Sequence, residues 1–126
     1  MIREHQIDYF EFKQEKEKLE EGGNITIKLN SVKAKKDILE IKYTFLIEYK
    51  QKSGSMTIKG TIIAETSDAK KGQQLWQKEK KLPEDIEADV LNEIANFNRV
   101  RAAGVLRALR SKIEIVKEEK PKEPAA

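Results

Sequence analysis

An alternation of apolar and polar side chains over residues 38–65 is the feature that most constrains the fold. The apolar set of its first half is Leu39, Ile41, Tyr43, Phe45, Ile47 and Tyr49. After a polar turn at 52–54, the alternation resumes with Met56, Ile58, Ile62 and Ala64. A period of two over this length predicts two antiparallel strands, at 38–50 and 55–66, with one apolar face that needs cover.

Two segments before residue 38 also have the strand pattern. Ile25, Ile27 and Leu29 alternate with polar residues, which predicts a strand over 24–33 and a three-strand meander. Ile7 to Phe12 is the candidate for a fourth strand. The charged run 13–21 between them fits either a solvated helix or a polar connection. His5 is the single histidine and is predicted to lie on the surface of a flexible N-terminus.

Helical signals follow the predicted hairpin. Residues 66–68 are all good N-cap types, and the helix formers after them run to Leu82-Pro83, where proline ends the element. A second helix is predicted from Pro83 onward, because one apolar stripe continues at Ile86, Val90, Ile94 and Phe97. Gly104 interrupts the apolar pattern of the second helix beyond Phe97. A glycine at this position predicts a kink in the helix or a close approach to a neighbour. The predicted class is α+β: an antiparallel meander of three to four strands, followed by two helices packed on one face.

Composition predicts a single domain over 1–116, followed by a disordered, charged, Pro-containing tail over 117–126. Charged residues make up 37% of the chain and the net charge is +3, a balance that does not favour nucleic-acid binding. The absence of a signal peptide and of a long apolar run predicts a soluble cytoplasmic protein. A composition rich in Lys and Glu and free of Cys is typical of proteins from hot environments, although six Gln residues argue against that origin.

The residues indicate no catalytic chemistry, so the chain is predicted not to be an enzyme and to need no cofactor. One His and no Cys exclude a zinc site built from those ligands. The carboxylates at 84–93 are explained by the positive end of a helix dipole, without a metal. No phosphate-binding Gly-rich loop is present.

A basic stretch near the end of the second helix gives one alternative function. It contains Arg99, Arg101, Arg107 and Arg110. Three of these four share a helical face, while Arg101 points elsewhere. A small nucleic-acid-binding module or a contact with an acidic partner is one interpretation. The other is a solvated helix end, which the dipole favours.

The order of elements and a few residues carry a family resemblance. The hairpin at 38–65, Leu75-Trp76-Gln77-Lys78 in the connecting helix, and the run from Leu82-Pro83 to Ile94 together resemble the SecB-like export chaperones and their archaeal relatives. The resemblance covers residues 24–110. It implies a four-strand sheet with helices on one face, assembly of neighbouring subunits, and grooves that hold unfolded polypeptide during protein transport.

The resemblance leads to a hypothesis about function. It implies a non-enzymatic binding protein or chaperone for unfolded segments, with polypeptide-binding residues given by type as Tyr43, Phe45, Tyr49 and Trp76. Packing in the core is the alternative for these aromatic residues. Ile38, Leu46 and Ile63 interrupt the polar side of the hairpin, which predicts a homo-oligomer if that sheet face is apolar.

Overall fold

The computed structural model describes residues 1–119, except for the side chains of Glu21 and of 108–119. It confirms the α+β class: a four-strand antiparallel sheet followed by two helices. In chain order the elements are β1 (Ile2–Gln14), β2 (Glu20–Lys35), β3 (Ile38–Lys50), β4 (Gly54–Glu65), α1 (Ala69–Glu79) and α2 (Glu84–Glu119). Residues 15–19 are a connection and not a helix, whereas residues 13–14 and 20–21 of the charged run belong to β1 and β2.

The strands lie in the order β1-β4-β3-β2, and all neighbours are antiparallel. The predicted meander of β2, β3 and β4 is therefore confirmed, and β1 joins the free side of β4. The predicted fourth strand is longer than expected, because β1 continues to both sides of residues 7–12. Strands β3 and β4 are central, whereas β1 and β2 form the two edges of the sheet.

Ser53 explains how the chain crosses from β1 at one edge to β2 at the other. Its carbonyl accepts hydrogen bonds from the N–H groups of Glu15 (2.8 Å) and Lys16 (3.3 Å), which lie in the connection. Its hydroxyl accepts from the N–H of Glu20 (3.0 Å) and donates to the carbonyl of Lys50 (2.8 Å). Ser53 is fully buried. The carbonyl and hydroxyl of this one residue therefore fix the connection against the β3–β4 turn, and these polar groups stay paired.

The two sheet faces differ in composition, as the alternation predicts. One face, here the helix face, carries the apolar set of β3 together with the β4 residues that pair with it: Met56, Ile58, Gly60, Ile62 and Ala64. Most of these side chains are fully buried, and Tyr43 and Phe45 are the largest of those. The other face, here the open face, carries Lys42, Glu48 and Lys59, which are exposed. Burial of one face only is what lets a single helical layer complete the core.

Close approach of α1 to the helix face explains a glycine in its interior. A Cβ at Gly72 would lie 3.0 Å from Cδ1 of Leu39, so the small residue lets the helix pack tightly on β3. The helix ends at Glu79, and Lys80 follows in the left-handed region with φ 57°. Its N–H donates to the carbonyl of Trp76 (2.9 Å), which satisfies a carbonyl of the last turn.

The first turns of α2 cover the part of the helix face that α1 leaves open. Glu84, Asp85 and Glu87 occupy its first turn, where carboxylates interact favourably with the helix dipole. The predicted stripe is confirmed for Ile86, Val90 and Ile94, which are 8%, 0% and 0% exposed.

The chain divides into two compact units, Met1–Asn96 and Phe97–Ala126. The first contains the sheet, α1 and the beginning of α2. The second begins within α2, which reaches Glu119. The predicted boundary between a domain at 1–116 and a tail at 117–126 stays a prediction, because residues 120–126 lie outside the described part of the chain.

We expect Gly60→Ala to destabilise the protein strongly. An added Cβ would overlap the hydroxyl of Tyr43 and the backbone carbonyl of Gln6, and neither neighbour can move freely inside the sheet. The free energy of unfolding should fall by about 2–3 kcal/mol, as for other overpacked cores. Urea denaturation followed by circular dichroism measures it.

Gly104→Ala is the matched control. Beyond its own helical turn, no described atom lies within 4 Å of a Cβ at this position. The structure thus gives no support to the predicted close approach. The substitution should leave stability unchanged or raise it by about 0.5–1 kcal/mol, because alanine favours the helix. Equal losses in both variants would contradict the assigned packing around Gly60.

Candidate functional site

Three of the four predicted aromatic binding residues belong to the core. Tyr43 and Phe45 are 0% exposed and Tyr49 is 7% exposed. Their burial follows from their positions on β3, an inner strand, on the helix face. Side chains enclosed in this way contact their core neighbours and are not accessible to a polypeptide. Core packing, the alternative interpretation, therefore describes these three residues.

Trp76 is placed differently. It lies on α1, is half-buried, and has the Nζ of Lys80 at 5.4 Å from its ring centroid. An indole with one accessible side and a cation over its ring can still contact a ligand. Of the four predicted residues, Trp76 is the one whose position is compatible with binding.

Large apolar side chains remain exposed on the edge strands of the sheet. Ile7 and Phe10 on β1 are 38% and 42% exposed, and Ile25 on β2 is 42% exposed. Ile7 pairs with Gly60, Phe10 with Ile58, and Ile25 with Ile47, so all three lie on the helix face. We call Ile7, Phe10 and Ile25 the rim residues.

The strand order explains what surrounds the rim residues. Within residues 1–119, β1 pairs with β4 alone and β2 with β3 alone. Each edge strand therefore has a row of backbone N–H and C=O groups on its outer side. Backbone groups beside exposed apolar side chains offer an extended polypeptide both hydrogen bonds and apolar contact. The sequence alone did not identify this surface, because it does not show which strands become edges.

Tyr9, which neighbours the rim residues in sequence, lies on the open face opposite Lys59. The Nζ of Lys59 is 5.4 Å from the centroid of the Tyr9 ring. The Tyr9 hydroxyl donates a hydrogen bond to Oε2 of Glu11 (2.9 Å). This bond raises the pKa of the Tyr9 phenol, and desolvation and the Glu11 charge act in the same direction. The phenol therefore stays protonated at neutral pH.

A chain of hydrogen bonds connects three elements beneath the helix face. Nδ1 of His5, on β1, lies 2.7 Å from Oε2 of Glu93 on α2. Nε2 of His5 lies 2.5 Å from the hydroxyl of Tyr43 on β3. Because the carboxylate accepts the Nδ1–H, a neutral imidazole then accepts the Tyr43 O–H at Nε2. The two rings meet edge to face, with centroids 5.4 Å apart.

The surroundings of His5 indicate a structural role. Its side chain is 5% exposed and Tyr43 is 0% exposed, so a substrate has no access to the phenol hydroxyl. The bonds instead fix β1 and α2 against β3. The prediction that His5 lies on the surface of a flexible N-terminus is wrong, because β1 begins at Ile2 and carries His5 into the sheet.

The basic stretch lies on α2 in the second unit. Arg99, Arg101 and Arg107 are exposed, whereas the side chain of Arg110 lies outside the described residues. The guanidinium of Arg101 stacks over the ring of Phe97 at 3.3 Å and donates to the Phe97 carbonyl (3.1 Å). Stacking against its own helix occupies part of the Arg101 guanidinium. A nucleic-acid or acidic-partner contact here stays a prediction.

Two further properties concern the described part of the chain. Within it, no three His, Asp or Glu side chains come together in a way that could hold a metal ion. No helix in the same residues combines the length and apolar composition needed to cross a membrane.

Comparison with protein families, curated proteins and solved structures found no match. The SecB-like resemblance therefore continues to depend on the element order and the residues quoted for it.

We expect a double-mutant cycle on His5 and Tyr43 to show energetic coupling. His5→Leu removes a hydrogen-bond partner of the buried phenol and should lower the free energy of unfolding by about 1–3 kcal/mol. In a Tyr43→Phe background the same substitution should cost about 1 kcal/mol less, because the hydroxyl is already absent. Urea denaturation of all four proteins measures this. If the losses of unfolding free energy from the two substitutions simply add, the hydrogen bond between His5 and Tyr43 would be contradicted.

Proposed function

We propose that this chain is a non-enzymatic, SecB-like binding protein that holds unfolded polypeptide segments in the cytoplasm. The observation that carries the proposal is the exposure of the rim residues beside unpaired sheet edges. Unfolded chains present apolar side chains together with backbone groups that lack intramolecular partners. A surface that offers both kinds of contact suits such a ligand better than a folded one.

The arrangement of the first unit supports holding rather than chemistry. The imidazole of His5 and the phenol of Tyr43 are enclosed, whereas the large apolar rim residues at the sheet edges are accessible. Apolar surface left accessible on a soluble domain commonly marks a site of macromolecular contact. Each rim residue contributes part of its surface, so binding would be weak and reversible at one edge and stronger when one client reaches both.

A homo-oligomer stays a prediction. The sequence predicts an oligomer only if the sheet face turned away from the helices is apolar. In the structure the open face carries Ile38, Leu46 and Ile63, all half-buried, among Lys and Glu side chains. Multi-angle light scattering over a range of concentrations tests it. A protein that remains strictly monomeric at high concentration would contradict the oligomer without bearing on client binding.

We expect the protein to delay the aggregation of an unfolded client. A reporter protein diluted from denaturant aggregates through its apolar segments, which the rim residues would cover. At a stoichiometric ratio, turbidity should appear several-fold later than without the protein. The triple variant Ile7→Ser, Phe10→Ser and Ile25→Ser should lose most of this delay, because it removes the accessible apolar contacts.

Val100→Ser is the matched control, since Val100 is 71% exposed but belongs to α2 and not to a strand of the sheet. It should leave the delay unchanged. Circular dichroism of each variant shows whether the fold is retained. The proposal fails if the parent protein has no effect on the client at a stoichiometric ratio.

A further inference from the structure

A groove follows the outer edge of β2 where α1 packs beside it. Its strand side is formed by Val32, Lys33 and Lys35, and its helix side by Gln73, Trp76 and Lys80. Its volume is about 480 Å³. Clefts of roughly 300–1,000 Å³ bind ligands the size of several side chains. The groove therefore has room for a short peptide segment and not merely for an ion.

The strand side of the groove is the outer edge of β2, which pairs with no further strand within residues 1–119. The N–H of Ala34 donates to Oε1 of Gln73 (2.5 Å), so this amide points away from β3 and towards α1. Both backbone groups of a residue in an antiparallel strand point to the same side, and the side alternates along the strand. The N–H and C=O of Val32 therefore point to the same outer side, although Val32 as a whole is 5% exposed. The stretch from Ser31 to Lys35 pairs regularly with β3, which keeps this edge straight.

Side chains on the two sides of this edge differ in chemistry. Val32 and Ala34 lie on the helix face, because they pair with Ile41 and Leu39. Lys33 and Lys35 lie on the opposite face and are exposed.

The residues that line the groove make it basic. Three of them are lysines, Lys33, Lys35 and Lys80, and none of the lining residues is acidic. A segment that follows the edge would meet Trp76 on one face and the two strand lysines on the other.

We propose that the groove binds an extended acidic peptide segment, which adds to β2 as a fifth strand of the sheet. Its side chains would alternate: apolar ones face Trp76, and carboxylates face Lys33 and Lys35. A carbonyl of the segment replaces the Gln73 amide oxygen on the Ala34 N–H, so no hydrogen bond is lost at that amide.

The backbone chemistry favours a peptide over a nucleic acid. The edge at Val32 offers a donor and an acceptor side by side, which a peptide backbone matches with its own carbonyl and N–H. A phosphate backbone offers acceptors and would leave the Val32 carbonyl facing an anion. This inference goes beyond the proposed function, because it uses a different stretch of sheet edge and a charged ligand.

Tryptophan fluorescence tests the proposal directly, because Trp76 is the only tryptophan in the chain. The probe is an eight-residue peptide of alternating Glu and Val, titrated onto the full-length protein. We expect a saturable change in emission that weakens as salt is added. A peptide of alternating Lys and Val should bind at least tenfold more weakly. If the two peptides bind equally, or neither binds, the proposal is overturned.

Charge reversal locates the contact. The double variant Lys33→Glu and Lys35→Glu should weaken binding of the Glu-Val peptide by about tenfold, the effect of two exposed ion pairs. The matched control is Lys71→Glu with Lys78→Glu, since these lysines lie on the far side of α1 and do not line the groove. It should change the affinity by less than about twofold. Equal losses in both double variants would place the peptide elsewhere.

Backbone methylation distinguishes strand addition from simple charge attraction. Two versions of the Glu-Val peptide carry N-methyl groups, one on the Glu residues and one on the Val residues. These positions point to opposite edges of an extended strand, so one version should lose binding and the other should keep it. Equal affinities would exclude strand addition. A ten-residue oligothymidine that binds more tightly than the peptide would instead assign the groove to single-stranded nucleic acid.

The two proposals can fail independently. The Lys33→Glu and Lys35→Glu variant should still delay client aggregation, and the triple rim variant should still bind the Glu-Val peptide. Loss of both activities in both variants would show that one common surface is responsible and would overturn the separate groove.

Discussion

The pairing of β3 with β4 is the constraint on which the rest of the structure depends. It places the apolar set of β3 beside that of β4 on one face, and Tyr43 opposite Gly60. The missing side chain at Gly60 leaves space for the Tyr43 hydroxyl, which then reaches His5 on β1. A shift of register by one residue would move this whole set to the open face. The helices would then lose the surface that they cover.

Strong periodicity made this central pair and the helices predictable. The alternation over 38–65 extends through both strands of the hairpin, and the stripe at Ile86, Val90 and Ile94 has one helical period. The first strand was harder, because β1 changes register between Ile7 and Tyr9. His5 and Ile7 on one side of this bulge share the helix face with Phe10 and Phe12 on the other. Immediately before the bulge the odd-numbered residues of β1 lie on the helix face, and after it the even-numbered residues do. A search for a strict period of two therefore fails across the bulge.

The candidate site was predictable by residue type but not by position. In the sequence, the aromatic residues on β3 favour core packing and leave binding open, and their burial in the structure decides between the two. The strand order depends on Ser53, whose bonds bring the 15–19 connection over the β3–β4 turn. In the sequence Ser53 is an ordinary polar turn residue. Tyr43 lies in the interior of the sheet because β3 pairs on both sides, with β2 and with β4. Because β1 joins β4 and not β2, the strands that carry Ile7, Phe10 and Ile25 are the two margins.

The irregular pairing of both outer strands has a consequence for solubility. β1 shifts register near Ile2 and Ile7, and β2 shifts near Glu20 and Leu29. Each irregularity bends and twists the strand locally, so a second copy of the chain cannot form a long ladder along either margin. Regular stretches remain between the irregularities, such as residues 31–35 of β2, and a single added strand can pair with these. The molecule can therefore display isoleucine and phenylalanine at its margins, while the register shifts limit how far a second copy could pair along either edge strand.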